Sequence, residues 1–357
     1  MKDSNRSYTR NTIGVDLSDC FSYFFSLDQD GECAGEGRVP STPAAFRKHF
    51  GPLEPALIAI ETGTHSPWAS RVLAECGHEV LVANARELRL IYKSKKKTDR
   101  EDAENLARTA RLDPKLLHPI EHRSVEDQAN LAILRARFAL VSARTELIQH
   151  VRGAVKSWGA RIRDCSTPSF DRQARAQIPA EIEPALLPVL DAIGELTARI
   201  AAYEKQIEGA LSKEKYPETK RLRQVPGVGP ITALAFVLTL GDPRRFRSSR
   251  TVGAYLGLTP RRADSGESSP QLRISKAGDS TLRRLLVGSA QYILGPFGPD
   301  NDLRRFGHSI ARRGGKNAKK RAAVAVARKL AVILHRLWMT GEDFRPLRTR
   351  TERKAAS

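Results

Sequence analysis

Acidic residues that close short apolar runs constrain this chain more than any other feature. Thr12-Ile-Gly-Val-Asp16 and Leu57-Ile-Ala-Ile-Glu61-Thr each read as a strand with a carboxylate near its end, and Lys97-Thr-Asp99-Arg-Glu-Asp102 precedes a helical pattern. A carboxylate carried on a hydrophobic strand is costly unless it is paired or holds a metal. Thr98 to Glu101 fits a capping box, which makes Thr98 the N-cap of a helix and leaves Asp99 and Asp102, three apart, on one face. Asp16, Glu61, Asp99 and Asp102 are therefore candidates for a single site. Converging carboxylates repel one another, and a hard divalent cation with oxygen ligands offsets that repulsion. Mg2+ suits this donor set best.

The elements between these segments predict an α/β order. Residues 12–18 and Phe21 to Leu27 read as strands, and Asp28-Gln-Asp-Gly31 as a turn into a further antiparallel stretch. A helix over Pro43 to Phe50, a buried strand over Leu57 to Glu61, a helix over Pro67 to Cys76, a strand over Glu79 to Asn84 and another helix follow. Three antiparallel strands and then βαβ units, with acids on the first and fourth strands and on a later helix, resemble the plan of ribonuclease-H-like nucleases.

Beyond residue 121 the texture changes. Leu131, Leu134, Phe138, Val141, Thr145 and Ile148 recur at threes and fours, and residues 187–211 do the same, so two long amphipathic helices are expected. The pattern is compatible with an internal helical hairpin or with dimerisation. Thr167-Pro-Ser and Ile178-Pro-Ala interrupt it. From residue 213 the chain opens a third region. Val225-Pro-Gly227-Val-Gly229-Pro resembles a helix-hairpin-helix turn, whose glycines let backbone N–H groups approach a phosphate, and it reads equally as a tight helix connection without a ligand.

Charge indicates the partner. Of 357 residues, 60 are Lys or Arg and 40 Asp or Glu, a formal charge of +20, and a field of that sign attracts phosphate backbones. It is also concentrated: residues 303–341 carry eleven Lys or Arg and residues 243–263 six Arg, with no acid in either stretch. Lys95, Lys96, Lys97, Arg261, Arg262, Arg273, Lys276, Arg312, Arg313, Lys316, Lys319 and Lys320, with Gly227 and Gly229, are the candidate nucleic-acid contacts. The four cysteines show no paired or zinc-ligand spacing and read as reduced, mostly buried thiols. No apolar stretch is long enough to span a bilayer, so a cytoplasmic protein without a membrane partner is expected.

A second candidate centre lies at Arg261-Arg-Ala-Asp-Ser265-Gly266, where a serine beside a glycine sits among arginines that suit charge developing on a phosphodiester. Read from the residues alone, a loop serine is far more often only a loop serine. Tyr255 and Tyr292 are alternative nucleophiles of another recombinase chemistry, with Tyr255 in an apolar pattern that suits the core. His65 and His118 lack convincing partners.

The acidic quartet, the Thr98-Asp-Arg-Glu-Asp102-Ala run, the Pro226-Gly-Val-Gly229 turn, and Ala254-Tyr-Leu-Gly-Leu-Thr-Pro260 through Arg273-Ile-Ser-Lys-Ala-Gly-Asp279 together resemble transposases of the insertion-sequence 110 family, in order from about residue 11 to 295. That resemblance implies a DEDD-type recombinase. Its RuvC-like, ribonuclease-H-like α/β domain would span 11–120, an α-helical coiled-coil connector 121–212, and a mostly α-helical transposase domain with the serine loop 213–345. Residues 1–10 and 346–357 are expected to be disordered. It further implies Mg2+ on Asp16, Glu61, Asp99 and Asp102, attack on DNA by Ser265 through a phosphoserine intermediate, and guidance by a structured bridge RNA that pairs with donor and target DNA. Dimers and a synaptic tetramer would supply serine and quartet from different subunits, in the cytoplasm and nucleoid of a prokaryote. Where relatives have two small hydroxyl residues before the glycine, this chain has Asp264 and Ser265, and Ser268 and Ser269 stand nearby as rivals. Two other readings fit the same residues: a metal-dependent RuvC-like structure-specific nuclease, and a non-catalytic nucleic-acid-binding protein.

Overall fold

The computed structural model describes residues 10–84, 98–209, 215–263, 265, 270 and 272–347. Lys95, Lys96, Lys97, Gly266, Ser268, Ser269 and most of both termini lie outside the described residues. The chain divides into two compact units, Met1–Ser124 and Val125–Ser357.

The first unit is built on a five-stranded sheet in the order β3-β2-β1-β4-β5, formed by β1 (Thr12–Asp16), β2 (Phe21–Leu27), β3 (Cys33–Pro40), β4 (Leu57–Glu61) and β5 (Glu79–Ala83). β1, β2 and β3 pair antiparallel, whereas β4 runs parallel to both β1 and β5. Asp28 makes the β2–β3 turn by accepting from the N–H groups of Asp30 and Glu32 through Oδ1, and Gly31 supplies the left-handed φ of 90°.

Strand alternation sorts the apolar side chains onto two faces. Ile13, Val15, Ile58 and Ile60 meet Phe46 and Phe50 of α1 (Pro43–Phe50) and Ala69, Val72 and Leu73 of α2 (Ser66–Glu75). His78 ties this face together, since its Nδ1 accepts from the Ala56 N–H at 3.2 Å and its Nε2–H donates to the Phe50 carbonyl at 2.9 Å. Gly14, Ala59, Phe25 and Leu27 face the other way, onto α3 (Asp99–Leu112), whose Ala103, Leu106, Ala107 and Ala110 pack there. β4 is buried on both faces, which explains its unbroken apolar run.

The second unit is helical. Its α4 (Val125–Ser157) and α6 (Glu183–Gln206) form an antiparallel hairpin within one chain, joined through α5 (Phe170–Arg175). Arg137 pairs with Glu204, Arg144 donates to Thr197 at 3.1 Å, and Ile148, Val151 and Val155 share a core with Leu186, Leu190 and Ile193, so steps up one helix match steps down the other. The internal hairpin is thus the structure these heptad-like patterns adopt. The rest of the unit surrounds α8 (Pro230–Leu240), every residue of which from Thr232 to Leu240 is buried, consistent with a helix apolar on all sides. Around it pack α7 (Glu218–Leu222), α9 (Thr251–Tyr255), α10 (Ser280–Leu294), α11 (Asp302–Ala311) and α12 (Ala318–Thr340), together with Leu131 and Leu134 of α4.

A buried histidine makes this unit sensitive to acid. His335 of α12 donates from Nε2 to the Pro243 carbonyl at 2.8 Å and accepts from the Ser249 hydroxyl at Nδ1, 2.9 Å away. Burial pushes its pKa below the ordinary 6.5, only partly offset by the Pro243 hydrogen bond. The unfolded chain then binds the extra proton first, so stability falls as pH drops below about 6.5 toward the depressed folded value. Melting curves between about pH 7 and pH 5 are expected to show a shallower acid loss for His335→Gln than for wild type. Identical slopes would remove His335 from the acid response.

The cysteines require a correction. Cys20 and Cys33 are exposed and Cys76 and Cys165 half-buried, all as free thiols. Cys20 falls between β1 and β2 and Cys33 at the irregular start of an edge strand, places with no core to enter. Tyr255 likewise departs from a core position, standing 36% exposed at the end of α9 with its ring against Phe246 and under the Arg245 guanidinium.

Candidate active site and nucleic-acid interface

Asp16 ends β1 and Glu61 ends β4, two neighbouring parallel strands whose register pairs Val15 with Ile60. Both carboxylates follow the small residues Gly14 and Ala59 at alternate positions, on the sheet face that α3 covers. The Thr98 hydroxyl accepts from the Glu101 N–H at 3.2 Å, so the cap starts the helix at Asp99. α3 runs antiparallel to β1. Arg111 near its C-terminus donates to the Asp28 and Gln29 carbonyls beyond the end of β2 that pairs with Thr12, while Arg100 near its N-terminus bonds Glu36 at 2.8 Å and lies 5.5 Å from the Phe25 ring centroid. The first turn, with Asp99 exposed and Asp102 half-buried, is thereby directed toward the strand ends that carry Asp16 and Glu61.

Asp16 and Glu61 thus end two neighbouring central strands, and Asp99 and Asp102 stand in the first turn of the helix packed on them. Among the described residues, no three His, Cys, Asp or Glu side chains gather closely enough to hold a metal. The donors nonetheless suit a hard cation: all are carboxylates, and Mg2+ ordinarily takes one or two protein carboxylates and completes its shell with water and substrate phosphate.

The feature that lets α3 lie over β1 was not singled out from the sequence. A Cβ at Gly14 would stand 2.0 Å from the Ala103 carbonyl oxygen and 2.6 Å from the Ala107 nitrogen. The helix backbone touches the strand there, and a glycine inside an apolar strand is the signal that marks such an approach.

In the helical unit, Ser265 is exposed, in a loop closed by a short ladder. Pro260 pairs with Ile274, the Arg261 N–H donates to the Arg273 carbonyl at 3.0 Å, and the Ser275 and Lys276 N–H groups donate to Thr259 and Gly257. Two glycines clasp its base. Gly257 and Gly278 both have positive φ, and a Cβ on either would stand 2.2 Å from Ala277 N or 2.1 Å from the Tyr255 carbonyl oxygen. The Ala254-Tyr-Leu-Gly and Ser-Lys-Ala-Gly stretches are therefore parts of one device. Arg261, Arg262, Arg273 and Lys276 are exposed on it, as are Arg312, Arg313, Lys316, Lys319 and Lys320 around Gly314 and Gly315. Gly227, with φ of 82°, and Gly229 form the turn that leads into α8. His65 bonds Asp19 and Trp68, and His118 occupies a left-handed backbone position. Among the described residues no helix is long and apolar enough to cross a membrane.

Residues 13–158 match the family model of a transposase, the DEDD transposase of the IS110 group, and residues 219–299 match that of the transposase IS116/IS110/IS902 family. The chain is 32% identical to a probable family 20 transposase of Pseudomonas aeruginosa, over 94% of this chain and 98% of the relative. It is 30% identical to the transposase for insertion sequence element IS1111A of Coxiella burnetii, over 93% and 91%. With the transposase for insertion sequence element IS1328 of Yersinia enterocolitica it shares 31% identity, over 78% and 82%. Each half of the chain is therefore of a transposase type, an enzyme class that cuts and rejoins DNA. The chain belongs to the IS110 family of transposases.

Proposed function

We propose that this transposase is a serine recombinase with a RuvC-like acidic centre, guided to donor and target DNA by a bridge RNA. The observation that supports the acidic half is that Asp16 and Glu61 end neighbouring strands of a sheet ordered β3-β2-β1-β4-β5, while Asp99 and Asp102 stand in the first turn of the helix that packs on it. That order, with three antiparallel strands leading two parallel ones, supports a ribonuclease-H-like domain over 11–120. A helical connector over 121–212 and a transposase domain over 213–345 complete the proposed division, in a cytoplasmic, nucleoid-associated protein.

Asp16 and Glu61, with Asp99 and Asp102 closing from the helix, would hold Mg2+. When bound, the ion supplies charge stabilisation for phosphate oxygens. Ser265 Oγ attacks the scissile phosphorus, a phosphoserine ester forms as the bond to a deoxyribose oxygen breaks, and the released hydroxyl takes the proton. Attack by another DNA hydroxyl reverses the exchange and frees the serine, so no nucleotide hydrolysis is required. Exposed Arg261, Arg262 and Arg273 beside Ser265 are placed to meet the charge on that phosphate. Serine and quartet would come from different subunits of a tetramer, with the basic residues of 312–320 holding nucleic-acid phosphates.

The test is recombination between donor-junction and target plasmids with the flanking RNA and Mg2+. Wild type is expected to give recombinants and a protein–DNA adduct, and Ser265→Ala neither, with DNA binding kept. Cleavage that persists in Ser265→Ala without an adduct would reduce the enzyme to a metal-dependent nuclease.

A further inference from the structure

A cavity of about 690 Å³ opens in the helical unit between α4, the Val225–Gly229 turn and α10. No Asp or Glu lines it, whereas Arg137, Arg223 and Arg284 do. Arg137 and Arg223 are paired with Glu204 and Glu208. Arg284 is exposed and forms no ion pair with a described residue. On α10, Arg284, Gly288 and Tyr292 follow at intervals of four and so form one stripe along the cavity wall.

Two details point to an occupant. Tyr292 is 47% exposed, an aromatic face held open on the cavity rather than packed away. The Gly227 turn abuts it, since a Cβ there would stand 3.0 Å from Tyr292 Cδ1 and 2.9 Å from the Ser289 carbonyl oxygen, which fixes the ring from one side. Gly288 sits midway between the cation and the ring. A Cβ there would meet nothing within 4 Å, and its φ is not positive, so neither packing nor backbone geometry requires glycine at this point of a helix. Glycine in a helix interior weakens it. What the missing side chain provides is a slot, about 12 Å long from Arg284 to Tyr292 along the axis.

We propose that this slot receives an unpaired nucleotide of single-stranded DNA, its base stacked on Tyr292 and its phosphate on Arg284. A guanidinium with no described ion-pair partner, on a wall that no carboxylate lines and beside an exposed aromatic ring, is the combination that binds single strands without base-pair readout. DNA is the occupant favoured because the family cuts and rejoins it, and strand exchange leaves nucleotides unpaired. The slot is separate from Ser265 and from the four carboxylates, and its occupancy needs neither.

The test is equilibrium binding of the full-length protein, in EDTA, to a short single-stranded DNA carrying 2-aminopurine, whose fluorescence is quenched by stacking. Tyr292→Ala is expected to weaken binding about tenfold and abolish the quenching, while Tyr292→Phe keeps both within about twofold. Gly288→Ala is expected to raise the melting temperature by a few degrees, and Gly288→Leu to weaken binding as Tyr292→Ala does without unfolding the protein. Unchanged single-strand affinity in Tyr292→Ala, or an effect confined to duplex DNA or to RNA, would overturn the assignment. Because the readout is binding without metal, a failure of serine chemistry would leave it intact.

Discussion

Asp16→Asn is expected to lower DNA strand transfer about 10²- to 10³-fold, the loss that follows from removing several kcal/mol of charge stabilisation at the reacting phosphate. The substitution keeps the shape of the side chain, and it removes one of the like charges proposed to share a metal. The melting temperature is therefore expected to hold or rise slightly, because repulsion among the carboxylates is relieved. Activity and stability move in opposite senses only if the acids serve chemistry rather than the fold. Strand transfer measured across a Mg2+ titration, beside thermal melts of the same preparations, separates the two. Full activity in Asp16→Asn would end the case for a four-carboxylate centre.

The second large effect concerns Gly14. Introducing even a methyl group there sets a carbon 2.0 Å from the Ala103 carbonyl oxygen and 2.6 Å from the Ala107 nitrogen, both of them backbone atoms of α3. A side chain can rotate away, but a helix backbone cannot. Gly14→Ala is thus expected to cost about 3 kcal/mol or more, at or above the upper end of ordinary overpacking. Relief comes only by lifting α3 from β1, which also carries Asp99 and Asp102 away from Asp16 and Glu61. Denaturant unfolding should show the lost stability and the plasmid assay the lost activity. Gly35→Ala is the matched control, since a Cβ there meets nothing within 4 Å and the position lies on edge strand β3. Equal stability of the two variants would mean that the helix does not need this approach.

Local signals carried much of the first unit. Phe21 to Leu27, Pro43 to Phe50 and Leu57 to Glu61 are bounded in the structure as the alternation, the leading proline and the unbroken apolar run indicate. Thr98 caps its helix because the Thr-to-Glu spacing is itself the local chemistry. What stayed hidden depends on contacts between distant segments. Nothing near Gly257 shows that Gly278 will lie against it, and nothing in the heptad-like stretches shows whether a helix meets its own chain or another copy. The last long helix, Ala318–Thr340, opens on Lys319, Lys320 and Arg321, because Lys and Arg continue a helix without joining its apolar face. Burial of cysteine is a statistical tendency, and in turns and edge strands it does not apply.

The hairpin of α4 and α6 joins two separate apolar grips. Leu131 and Leu134 hold its lower end to the helical core, while Ile148, Val151 and Val155 hold its upper end to Leu186, Leu190, Ile193 and Phe170. Between them, beside the buried Ile200, stand two polar contacts: Arg137 meets Glu204, and the buried Arg144 meets Thr197 with its own Nε unpartnered among the described residues. Hydrogen bonds of this kind stretch and re-form over short displacements, whereas interlocked apolar side chains resist sliding. The two ends of this spar are therefore fixed by interlocked apolar side chains, and the stretch between them leans on two polar contacts that tolerate small displacements.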